Sequence, residues 1–136
     1  DPKPKMPRWW MEQLSVNPAG KVIIHDRFFY PEFVYGPILR GFVDAPQSTQ
    51  EYVQDFLRQR AFLVYCRPPV EVLKDGIDAE IQMEGVKEMF NHLLAAYDKM
   101  IIDEAPHYNG RFVKYDWSDN KSMLTLIMKL TGYIYE

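Results

Sequence analysis

Cysteine occurs once in the 136 residues, at Cys66. A single thiol rules out an internal disulfide, and with it the stapled scaffold of a small secreted domain. Histidine is nearly as scarce. His25, His92 and His107 are scattered, with no cysteine or carboxylate at ligand spacing, so no structural zinc or other metal site is expected. No run approaches the roughly 18 apolar residues of a membrane span, and no signal-peptide pattern opens the chain. A soluble, cytoplasmic protein without a membrane partner is therefore expected. Neither charge sign dominates: sixteen basic and nineteen acidic side chains leave a formal charge of -3, which argues against general nucleic-acid binding.

What the chain does have is apolar and aromatic material, 47% hydrophobic residues with 3 Trp, 9 Tyr and 8 Phe. A domain of about 150 residues buries roughly 68–70% of its unfolded surface, so residues 1–136 suffice for one domain with a real core. Most of the rings are expected in that core. Those at Trp9, Trp10, Phe28, Phe29, Tyr30 and Phe33 are also a candidate surface for a homo-oligomer.

Three short β-branched or aromatic runs read as strands: KVIIH (Lys21–His25), AFLVYC (Ala61–Cys66) and RFVKYDW (Arg111–Trp117). The first is apolar at consecutive positions, the pattern of a strand covered on both faces. Helical spacing marks RWWMEQL (Arg8–Leu14) and the stretch from about Ser48, with Tyr52, Val53, Phe56 and Leu57. It also marks PVEVLKD and the long segment from Met83 to Ile102. A last helix runs from about Asn120 to Tyr133 and presents Leu124, Ile127, Met128 and Leu130. The region from Pro31 to Leu39 is broken by Gly36-Pro37, and "GIDAEIQ" reads as a connector. Strands alternating with helices imply an α/β chain, three-layer α/β/α with a mostly parallel sheet.

In such sheets ligands bind beyond the carboxyl ends of the strands. The runs end there in "IIHDR", "VYCRPP" and "VKYDW", which would set Asp26, Arg27, Arg67 and Asp116 along one rim. A guanidinium there suits a phosphate, because its fork meets two oxygens at once. The plain alternative is an acid and a base neutralising each other at a loop.

The order "DRFFYPEFVYGPILRG", "VYCRPPVEVL", "IQMEGVKEMFNHLLAAYDKM" and "VKYDW" resembles the phage-type branch of P-loop nucleoside and nucleotide kinases, near thymidylate kinase. The likeness covers the chain from about Lys21 onward. It implies transfer of a phosphoryl group from ATP to a (deoxy)nucleotide, with magnesium. By it Asp26 orients the acceptor or a magnesium-bound water, and Arg27 holds the acceptor phosphate. Phe28 and Tyr35 pack near the base, and Arg40 and Arg67 are further candidates for substrate contact. The pattern departs at Pro31, where the family has serine, and at Gly36, where it has the glutamine that reads thymine. The expected lid, "LKDGIDAEIQ", offers Lys74 with Asp75, Asp78 and Glu80, and no arginine.

Nothing matches the phosphate loop Gly-x-x-x-x-Gly-Lys-[Ser/Thr], since Gly20-Lys21 precedes a strand-like run and opens no helix. Two expectations follow. One is a kinase whose ATP half lies upstream of Asp1, as the missing initiator methionine would fit, so that this stretch alone turns nothing over. The other is a degenerate, non-catalytic kinase-like phage protein that binds a partner protein. Beside these two stands a plainer reading, a scaffold that uses Asp26 and Arg27 as a strand cap.

Overall fold

The structure, a computed structural model, describes residues 6–16, 19–79 and 88–135. The chain is α/β, and it divides into two compact units, Asp1–Phe56 and Leu57–Glu136.

The first unit is built on aromatic packing. Helix α1 (Met6–Leu14) buries Trp10 completely. Its indole meets Phe29 edge-on, with ring centroids 4.8 Å apart, and its Nε1 donates to the Phe28 carbonyl at 3.1 Å. A buried indole has to place its N–H, and here the backbone leading into the next helix accepts it. That helix, α2 (Tyr30–Tyr35), starts with Pro31 in its first turn, where a missing N–H costs nothing. A wide turn, Gly36–Arg40, follows and closes with Gly41 N donating to Gly36 O at 3.0 Å. Glu32 is buried, and its carboxylate accepts from Arg40 and, at 3.0 Å, from the Asp44 amide. Helix α3 (Gln47–Arg60) leaves this unit and enters the second, burying Val53 and Leu57 one turn apart.

The second unit holds the sheet. Strands β1 (Leu63–Cys66) and β2 (Phe112–Tyr115) pair in parallel with Leu63 opposite Phe112 and Tyr65 opposite Lys114. Parallel strands need a long crossover. It comprises α4 (Val70–Ala79) and α5 (Phe90–Glu104), the latter running into a 3-10 turn, Ala105–Tyr108. Asn109 and Gly110, both at positive φ, then turn the chain into β2. The Arg111 guanidinium donates to the carbonyls of Arg58 and Ala61, and so satisfies backbone acceptors where α3 ends. Arg58 in turn binds the buried Glu104 of α5, at 2.5 and 3.1 Å. Helix α6 (Asn120–Tyr135) packs on β2.

Two elements differ from expectation. KVIIH is not a strand: residues 21–27 are exposed and irregular, with Ile24 88% exposed. Strand character is a property of a pair, and among the described residues only β1 and β2 pair. Consecutive apolar residues therefore named a segment capable of pairing without supplying a partner. The start of the expected lid is also no loop, because α4 continues through Lys74, Asp75 and Gly76 to Ala79. Glu80 and the first residues of the long helix expected from Met83 lie outside the described residues.

Candidate functional site

Both strands end at one open groove of about 310 Å³. Arg67, Pro68 and Pro69 line it after β1. Lys114 and Asp116 line it at the end of β2, with Asp119 and Ser122 at the start of α6. It occupies the place where a parallel pair is expected to take a ligand.

Arg67 is held firmly. Its Nε and Nη2 reach the two carboxylate oxygens of Asp98, on α5, at 3.0 and 3.2 Å, and Nη1 donates to the Pro68 carbonyl. Tyr65 donates its hydroxyl to the same Asp98 at 2.8 Å. Burial, then the bond to Asp98 and its negative charge, push the Tyr65 hydroxyl well above its ordinary range. The bond to Asp98 raises Arg67 further. Partial burial works against ionisation of Asp98, but the hydrogen bonds from Arg67 and Tyr65 and the charges of Arg67 and Lys114 outweigh it. Its carboxyl stays below the usual range.

The opposite wall is a capped turn. Asp116 Oδ1 accepts from the amide and hydroxyl of Ser118 at 2.8 and 2.6 Å, while Asp116 N donates to Ser122 Oγ at 2.8 Å. Asp119 precedes α6 and accepts from Lys121 N at 3.0 Å, which makes it the N-cap. Lys114 differs from these. It is exposed and makes no hydrogen bond or ion pair among the described residues. The groove thus offers one unpaired ammonium beside a fixed guanidinium, with carboxylates across from them.

Of the residues read from sequence, Arg67 and Asp116 meet in this groove. Asp26, Arg27, Phe28, Tyr35 and Arg40 belong to the first unit. Asp26 and Arg27 lie on the exposed irregular segment, and Arg27 has φ +54°, a left-handed conformation. Phe28 is buried between Trp9 and His25, at centroid distances of 5.5 and 4.5 Å. Burial there lowers the His25 pKa. Tyr35 closes α2, half-buried. Arg40 is committed to Glu32 and lies over the Phe42 ring, 5.6 Å from its centroid. Tyr65, Asp98, Lys114, Asp119 and Ser122 were missed from sequence. Alternation in "VKYD" could have flagged Lys114, since a lysine inside an apolar strand must face water.

Comparison with family models, with curated proteins and with solved structures found no match. Among the described residues, no helix is long and apolar enough to cross a membrane, and no three His, Cys, Asp or Glu side chains gather as a metal site.

Proposed function

We propose that the groove at the ends of β1 and β2 takes the phosphate of a nucleotide, in a cytoplasmic domain of the nucleoside-monophosphate-kinase type. The carrying observation is the unpaired Lys114 ammonium next to Arg67 at the carboxyl edge of a parallel pair. Lys114 is the uncommitted cation, and Arg67, with its geometry fixed by Asp98, contributes field and its remaining N–H groups. In this reading Asp116 and Ser122, which line the groove, meet a ligand hydroxyl. A three-layer arrangement, phage origin, ATP as donor and magnesium enter this reading through the resemblance of the motifs. By that resemblance Asp26 and Arg27 serve the acceptor.

Calorimetric titration with the four deoxynucleoside monophosphates tests it. Lys114→Ala is expected to weaken binding about ten-fold or more, the effect of one charge-assisted hydrogen bond. Arg27→Ala, run beside it, separates the groove from the assignment carried by the motif. Absence of binding to all four nucleotides would remove the proposal.

A second reading, a non-catalytic kinase-like protein that binds a protein partner, is favoured by one observation. Val22, Ile23 and Ile24 are exposed at 60, 39 and 88% in a segment without backbone pairing among the described residues. Such a segment can add to a partner's sheet.

A further inference from the structure

We propose that the outer face of α6 is a self-association surface, on which two copies of this chain pair α6 against α6 in antiparallel fashion. The helix has two apolar faces. Ser122, Leu126, Leu130 and Tyr133 are half-buried on the inner one. There Ser122 Oγ accepts from Asp116 N, Lys129 Nζ reaches Phe112 O at 3.3 Å, and the Tyr133 hydroxyl donates to Arg60 O at 2.7 Å. The outer face is apolar and, among the described residues, uncovered. Leu124, Ile127 and Ile134 are 62, 53 and 47% exposed, flanked by Met123 at 45% and Met128 at 74%. A surface helix ordinarily turns a polar face outward, and this one does not.

Spacing favours a second copy over an unrelated covering. Leu124, Ile127, Thr131 and Ile134 alternate by three and four residues, the seam of paired helices. Turned about a two-fold axis, Leu124 meets Ile134 and Ile127 meets Thr131, and each contact recurs with the copies exchanged, as a closed dimer requires. Thr131 does not spoil the seam, because its hydroxyl already donates to the Ile127 carbonyl at 2.7 Å. The helix contains no acid. Its two lysines, Lys121 and Lys129, lie off the seam, so pairing strands no charge in an apolar contact.

Area points the same way. Five side chains at these exposures present on the order of 500 Å² of apolar surface, toward the upper end of the largest patch on a typical monomer. That is more than half of the roughly 800 Å² per partner of a standard interface. Ser122 faces inward, so the dimer leaves the groove open.

Sedimentation velocity on the full chain tests this. A species of twice 16.1 kDa is expected at tens of micromolar, in slow or rapid exchange with monomer. Ile127→Glu should raise the dimer dissociation constant at least 100-fold with an unchanged circular dichroism spectrum. Leu124→Lys serves if that variant misfolds. Thr125→Glu, exposed and off the seam, should leave the dimer intact. A monomer at about 100 µM, or a dimer that survives both seam variants, overturns the proposal.

Discussion

Arg67 grips Asp98 through both carboxylate oxygens, 31 residues away in sequence, and Tyr65 adds a third donor to the same group. This arrangement ties the end of β1 to α5 and fixes the floor of the groove before any ligand arrives. Arg67 is therefore a positioning residue, committed to Asp98 and the Pro68 carbonyl. A lysine in its place would lose the fork that spans both oxygens.

A double-mutant cycle between Arg67 and Asp98 should give a coupling of about 0.5–1 kcal/mol by urea unfolding. The figure sits near that of exposed pairs because the Asp98 side chain is 35% exposed, against 13% for Arg67. Additive single-variant effects would show that the pair is not coupled.

Acid should weaken the same cluster. The Asp98 carboxyl is held below its ordinary value of 3.8, so the folded state binds this proton less readily than the unfolded chain does. Its contribution is complete above that value and is lost as pH falls through the lower folded pKa. Tyr65 acts at the other end. Its raised pKa gives a contribution present below its ordinary value of 10.0 and lost as pH rises beyond it. Asp98→Asn should flatten the acid limb, and Tyr65→Phe the alkaline one, in unfolding midpoints measured across pH.

Much of the architecture was legible where one segment carries its own signal. The runs around Leu63–Cys66 and Phe112–Tyr115 are short, β-branched or aromatic, and bounded by Pro or Gly. Asn120 marks the start of α6. Arg67 and Asp116 could be placed on one rim because each directly follows a strand. Asp98 could not be paired with Arg67, since that contact depends on where the crossover lays α5. KVIIH shows the same limit from the other side, with the composition of a strand but no described partner for its backbone.

Gly36 is a place where a methyl group does not fit. A Cβ there would stand 2.6 Å from the Phe42 carbonyl oxygen and 2.9 Å from Glu32 Oε1. The first neighbour is backbone and cannot rotate away. Gly36→Ala should cost about 1–3 kcal/mol by displacing the buried Glu32 carboxylate from the exposed Arg40. Thermal unfolding will show it, and an unchanged midpoint would mean that the wide turn relaxes freely.

Asp119 caps α6 through the Lys121 amide at 3.0 Å. Asp119→Ala is expected to destabilise the chain by about 1 kcal/mol, and Asp119→Asn or Asp119→Ser should restore most of it. Because the same carboxylate borders the groove, nucleotide titration of the Ser variant separates capping from ligand contact.

Among the described residues the sheet consists of two strands that meet only after the chain has travelled through α4, α5 and the 3-10 turn. Local helices form from near neighbours, whereas this pairing has a long loop to close. The groove needs both strand ends, so it exists only in the finished molecule. Whatever binds there has no affinity for a half-folded chain, and its free energy of binding accrues wholly to the native state. Occupancy of the groove would thus slow the chain's loss to proteolysis in proportion to ligand concentration.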